Sequence, residues 1–278
     1  MTADERARQL IAAGEPLAAL EALQPAIRAN AADPKLRVFL FQLLAVLGQW
    51  QRALTQLQVC ADLDPAALAM VATYREAIQC EALREAVFAG RNAPHAMGKP
   101  QAWVAWLAEA LQADARGDAA VARALRTQAL NEAPAVRGTV NGEPFDWIAD
   151  ADSRLGPVLE AVINGRYCWV PMQSLRRVTL EQPVDLRDLV WTPASLEFAN
   201  GGGTVALIPS RYAGSAQATS PALQMARRTE WEEIGPDHYR GLGQRMWVTN
   251  VRDIAILEVR EIVLEPLDES DTVTVAAD

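Results

Sequence analysis

Lysine is nearly absent from this 278-residue chain: Lys35 and Lys99 are the only two, so arginine carries almost all of its 26 positive charges. Arginine forks fit fixed carboxylate contacts better than the mobile lysine ammonium does. Histidine is equally scarce, with His95 and His238 alone available as neutral-pH proton shuttles. Both sit in Pro/Gly-rich stretches, "APHAMGKP" and "GPDHYRG", that match no Ser, Cys or Asp catalytic motif, and the expectation is that both are solvated. The three cysteines, Cys60, Cys80 and Cys168, form no CxxC and are odd in number, which argues against a disulfide framework or a zinc site and for buried small hydrophobes. No apolar run reaches the length of a membrane span, and "MTADERARQL" has no signal-peptide core. A cytoplasmic protein is expected. Basic excess is also lacking. A net charge of −9 argues against nucleic acid and anionic membranes, and leaves proteins and basic peptides as partners.

What is present divides into two halves, and the pattern predicts an α+β protein. Up to about residue 134 apolar residues recur at three and four, as in "KLRVFLFQLLAVLG" and "QRALTQLQVCADLD". Turn signals at Gly14, Asp33-Pro34, Gly48, Asp64-Pro65, Gly117-Asp118 and Ala133-Pro134 separate the helices. From about 135 to 278 the chain reads as a β-rich domain with one or two helices. "VLEAVINGRYCWVP" places Asn164-Gly165 between two apolar runs, the signature of a type I′ hairpin. "ANGGGT" marks a second hairpin, "SPALQMARRTEWEEIG" reads as a helical insertion, and the acidic tail "DESDTVTVAAD" is expected to fray.

The helical half carries a repeat. Gly14 and Gly48, Ala19 and Ala53, and Leu20 and Leu54 are each 34 residues apart, the tetratricopeptide period. "GDAAVARALRTQALNEAP" repeats the Gly-to-Pro distance, with Ala122 matching Ala53, whereas residues 66–98 do not fit. Small residues let paired helices approach closely, and Gly permits the turn. On this template the inner groove would present Lys35, Val38, Gln42, Ala45 and Val46. Such a set suits the apolar face of a partner helix, and suits equally the next helix of the repeat.

The densest cluster of chemistry is "DWIADADSRLGP", with Asp146, Asp150, Asp152 and Arg154. As a calcium loop it fails: Arg154, Leu155 and Ala161 fall where an oxygen ligand, a glycine and a bidentate acid are needed. As an acid pair, Asp150 and Asp152 with Glu160 lack a nucleophile partner or phosphate cradle nearby. The remaining reading is structural: Asp150, Asp152 and Arg154 fasten backbone at a domain junction. "GLGQRM" has G-x-G without the third glycine or a following helix, so no nucleotide or other cofactor is expected. The tryptophans read as core and interface packing, with an exposed surface around Arg211, Arg227, Arg228 and Trp231 as the alternative.

Beyond these local readings, "FQLLAVLGQWQRALTQL", "MVATYREAIQCEALREAVFAG", "GEPFDWIADADSRLGPVLEAVINGRYCWVP", "LVWTPA", "LIPSRYAGS", "RRTEWEE" and "GLGQRM" together resemble the ImpE family, also called TagJ or SciE, over about residues 5–262. The resemblance implies a non-enzymatic cytoplasmic accessory protein of bacterial type VI secretion. It further implies binding to the N-terminal helix of the small subunit of the contractile sheath, and through it an influence on the AAA+ ATPase that dismantles contracted sheaths. It transfers no catalytic residue, metal or cofactor. The competing classes are a hydrolase or nucleotide-binding enzyme built on Asp150, Asp152, Arg154 and Glu160, and a purely structural oligomer.

Overall fold

The computed structural model describes residues 1–266; the acidic tail expected to fray lies outside the described residues. Among the described residues seven helices precede the first long strands. α1 (Ala3–Ala13) opens with a capping box between Thr2 and Glu5, and α2 (Pro16–Ala29) starts on proline, which tolerates the first helical turn. α3 (Pro34–Val46) is capped by Asp33, whose carboxylate accepts from the Lys35 and Leu36 amides. α4 (Trp50–Leu63), α5 (Leu68–Phe88), α6 (Ala102–Arg116) and α7 (Ala119–Glu132) follow. α1 packs on α2, α3 on α4 and α6 on α7, each pair joined by a short turn. The repeat-matched alanines Ala19, Ala53 and Ala122 have no exposed surface, as close helix approach requires. The long helix α5 explains why residues 66–98 break the repeat: it lies against a β-strand as well as α4, so it needs no second helix of its own.

The strands are β1 (His95–Ala96), β2 (Gly138–Val140), β3 (Glu143–Phe145), β4 (Ile148–Asp150), β5 (Val158–Ile163), β6 (Arg166–Pro171), β7 (Leu175–Leu180), β8 (Trp191–Phe198), β9 (Gly203–Pro209), β10 (Thr229–Gly235), β11 (His238–Gly243), β12 (Met246–Thr249), β13 (Asp253–Ala255) and β14 (Glu261–Leu264). Nine of them form one sheet in the order β1-β6-β5-β9-β8-β7-β14-β2-β3, antiparallel except where β1 joins β6. β4, β12 and β13 form a small sheet, and β10–β11 a separate hairpin. Asn164 and Gly165 both take positive φ between β5 and β6, as the Asn-Gly turn predicts.

The large sheet is covered on both faces at β5 and β6, whereas β7, β8 and β9 are partly open on one face. On β5, Val158 and Val162 join the helices in one apolar core, while Leu159, Ala161 and Ile163 join a second core within the β half. Tyr167 and Trp169 of β6 and Trp191 of β8 also point into the helical core, so helices and sheet share buried surface.

Two expectations for the β half change in the fold itself. Within "SPALQMARRTEWEEIG" only Pro221–Gln224 is helical (α8), and Thr229–Gly235 is a strand. The helix stops because Ala226 takes φ +52° and the Arg227 side chain turns away to the end of α1. His238 is buried in β11 rather than solvated, its pKa lowered by burial and by nearby Arg126.

Gly48 shows how the halves interlock. It ends α3 at φ +64°, and a Cβ there would lie 2.7 Å from the Ala216 Cβ of the β half. Gly48→Ala should cost about 2 kcal/mol in urea unfolding, part strain and part overlap. Adding Ala216→Gly should recover the overlap part; no recovery would show that the contact is not tight.

Candidate functional site

Strand alternation decides which β5 residues meet the helices. Glu160 lies between Val158 and Val162 on that face, so its carboxylate is carried into an apolar core with no exposed surface. A buried lone carboxylate costs several kcal/mol, so partners must come with it. Arg84 of α5 grips it side-on, with Nε to Oε1 at 2.7 Å and Nη2 to Oε2 at 3.1 Å. Arg245, between β11 and β12, donates to Oε2, and the Tyr167 hydroxyl donates to Oε1. Trp169 in turn donates its indole N–H to the Tyr167 oxygen at 2.8 Å.

The network extends in both directions. Arg245 Nη1 meets Asp150 Oδ2 at 2.6 Å, and its Nε donates to the Pro209 carbonyl at 3.0 Å. The other Asp150 oxygen accepts from the Asp152 amide at 2.8 Å. Asp152 accepts from the Arg154 amide and guanidinium, with Nη2 to Oδ2 at 2.6 Å, and from the Gly241 amide of β11 at 3.1 Å. The Arg154 guanidinium lies 4.6 Å from the centre of the Phe88 ring on α5. On the helical side Arg84 also reaches Glu81 at 3.4 Å, and Glu81 accepts from the Trp191 indole at 2.9 Å. Arg84 donates once more to the Arg211 carbonyl at 2.7 Å.

Arg211 carries the junction into the repeat. Its guanidinium donates to the Val46 carbonyl at 2.7 Å and to those of Ala45 and Gln224. A cation is thereby set against the carbonyl end of α3, where the helix dipole favours it. Arg227 treats α1 likewise, donating to the Ile11 and Ala12 carbonyls at 2.8 and 3.0 Å. Burial, helped by the like charge of Arg84 and opposed by Glu81, pulls the Arg211 pKa down to about 10, so it stays charged at neutral pH.

Glu81, Asp150, Asp152 and Glu160 thus face Arg84, Arg154, Arg211 and Arg245, all nearly or fully buried. Burial works against the Glu160 anion, but Arg84 and Arg245 overcome it and hold its pKa down to about 2. Asp150 goes the other way: burial outweighs Arg245 and lifts it to about 7. The acids of "DWIADADSRLGP" therefore come together with Glu160 through Arg245. Asp152 and Glu160 have no surface for a substrate to reach, and their oxygens are already engaged. Among the described residues no group of three or more His, Cys, Asp or Glu is arranged to hold a metal. Asp146 stands apart, pairing with Asn250 on the surface. The glycines of "GLGQRM" serve packing: a Cβ on Gly241 would strike the Tyr212 ring at 2.3 Å, and one on Gly243 the Arg228 carbonyl at 1.9 Å.

The sequence alone does not show Arg84 and Arg245 and marks Arg211 only as part of an alternative surface, because nothing local identifies a helix arginine as the partner of a strand glutamate 76 residues away. The one available signal was the pairing of a lysine-poor composition with a charged residue inside an apolar strand. The alternative of an exposed arginine–tryptophan surface fails at Arg211, which is buried as a helix cap, whereas Trp231 is half-exposed.

The five groove positions separate. Lys35 is exposed, Val38 half-buried and Gln42 nearly buried; with Arg8, Phe39, Asp64 and Asp185 they line an open depression of about 370 Å³. Ala45 and Val46 are corrected: both have no exposed surface, because the end of α3 is sealed by Arg211. No helix among the described residues is long and apolar enough to cross a membrane.

The ImpE protein family model matches residues 142–263, the stretch that holds the aspartate loop, Glu160, Arg211 and Arg245. The type VI secretion system accessory component TagJ of Pseudomonas aeruginosa is 51% identical over 94% of this chain and 92% of its own length. The chain belongs to the ImpE/TagJ family. The crystal structure of protein VPA1032 from Vibrio parahaemolyticus has the same fold, with a TM-score of 0.86 at 24% identity over 94% of this chain and 98% of that one.

Linkage sets opposite signs for the two central acids. Glu160, held below the ordinary carboxylate value, adds stability above about pH 4 that is lost as pH falls towards 2. Asp150, lifted to about 7, makes the folded state hold a proton the unfolded chain has released, so its contribution falls as pH rises from about 4 to 7. Glu160→Gln should lose about 3–5 kcal/mol in denaturant unfolding. Asp150→Asn should flatten the stability profile between about pH 5 and 7; a slope unchanged from the parent would refute the assignment.

Proposed function

We propose that this chain is a non-enzymatic accessory component of a type VI secretion system, acting in the cytoplasm as an adaptor. It holds the N-terminal helix of the sheath's small subunit and so influences sheath disassembly by the AAA+ ATPase. Family membership supports the secretion role. The observation that carries the adaptor reading is the open depression at Lys35, Val38 and Gln42 on α3. Its floor is apolar at Val38 and Phe39, and its rim carries Lys35 and Arg8 against Asp64 and Asp185, a mixture that suits one amphipathic helix. The acids that an enzyme would need are engaged by arginine and closed to solvent, which favours binding over catalysis.

The test is binding of the full chain to the purified sheath small subunit, intact and without its first helix. Val38→Asp and Lys35→Glu should each weaken binding to the intact subunit about tenfold, the loss expected when a charge is buried or reversed at a docking contact. Binding that survives both substitutions, or loss of the subunit's first helix, would reject the groove. A thermal-shift panel of nucleotides and divalent metals should be flat; a stabilising ligand that Asp150→Asn abolishes would favour an enzyme instead.

A further inference from the structure

We propose that the outer edge of β10 is a docking strand for an extended, cation-bearing segment of another polypeptide. β10 pairs with β11 on one side only, and among the described residues no backbone hydrogen bond reaches its other side. The far side of β11 is occupied. The Ser153 amide donates to the Tyr239 carbonyl at 2.9 Å, the Tyr239 amide to Ser153 Oγ at 3.0 Å, and the Gly241 amide to Asp152. The hairpin is therefore anchored to the buried network along one edge and open along the other. Seven residues of open strand span about 23 Å, enough to template a partner strand.

Unpaired edges are usually blocked by lysine, proline or a central bulge. β10 has no lysine, arginine or proline, and its register shift comes only at the turn, between Glu233 and Gly235. Instead it carries Glu230, Glu232 and Glu233, with Trp231 43% exposed and its ring 5.6 Å from that of Tyr212. Glu230 and Glu232 have exposed arginine neighbours, Arg228 at 2.8 Å and Arg240 at 2.5 Å; among the described residues Glu233 has no ion pair. Such exposed pairs contribute little and are readily exchanged.

Charge selects the occupant. A second copy added along β10 would set glutamate against glutamate, which is unfavourable for directly opposed residues. A strand that alternates lysine or arginine with apolar residues would face Glu230 and Glu232 on one side and Trp231 on the other. The acidity is also greater in this half among the described residues: residues 1–133 carry 13 basic and 14 acidic side chains, residues 134–266 carry 13 and 17.

Hydrogen exchange on the full chain tests this, with an alternating lysine–valine heptapeptide as probe and a glutamate–valine heptapeptide as control. The lysine peptide should slow the outward-facing amides between Glu230 and Ile234 about tenfold, and the glutamate peptide should not. The exposed pair Glu232→Lys and Glu233→Lys should reverse that preference, with unchanged circular dichroism confirming the fold. No slowing, equal slowing by both peptides, or concentration-dependent self-association that protects the same amides would each overturn the proposal.

Discussion

A carboxylate on the helix-facing side of a central strand must be neutralised from outside its own strand. Glu160 is that carboxylate, and its two arginines arrive from a helix 76 residues before it and a loop 85 residues after it. Only when α5, β5 and the turn into β12 are all seated is the charge satisfied, so the helical and β halves acquire their native relation together. Removing a partner strands a buried ion, whereas replacing the whole set with apolar side chains would be far less costly. The network is thus better understood as specifying one docking arrangement than as a general source of stability. Four acids face four arginines, and Asp150, lifted to about 7, is the acid whose proton alters the charge balance of the set near neutral pH.

Arginine is the side chain this arrangement demands. Arg84 must satisfy Glu160 through two nitrogens, reach Glu81 and donate to the Arg211 carbonyl, all from one planar group. A lysine ammonium offers a single donor centre and cannot span those acceptors. Arg211 and Arg227 use the same fork at the carbonyl ends of α3 and α1, joining the turns of the helical repeat to the β half. The scarcity of lysine, whatever its origin in the source, is matched by sites whose geometry only guanidinium fills.

The sequence revealed periodic features well and long-range ones poorly. The 34-residue spacing identified Gly14, Gly48, Ala19 and Ala53 because each repeat meets the same steric demand at the same place. The Asn164-Gly165 turn was legible for a similar reason: its backbone angles are written in two adjacent residues. "SPALQMARRTEWEEIG" was misread because a helical period in its first half masks the alternation of "TEWEEIG", and the break at Ala226 is set by tertiary contacts. The aspartate loop is visible as a cluster, yet its partner Arg245 lies in "GLGQRM", where the paired glycines draw attention away from the arginine. Ala45 and Val46 were placed on an open surface because a repeat template contains no β half to cover the end of α3.

The covering of that helix end shapes what the groove can do. With the carbonyl end of α3 held by Arg211, the accessible part of the helix is its amino-terminal half, around Lys35 and Val38. Asp185, in the turn between β7 and β8, contributes to the same rim, so the depression is composite: its walls come from repeat and sheet together. A helix bound there would read the relative position of the two halves as well as the side chains of α3. Rigid docking through the Glu160 network keeps that composite wall in register. Weakening the network would therefore loosen the walls of the proposed groove without altering the residues that line it, a coupling through shared packing.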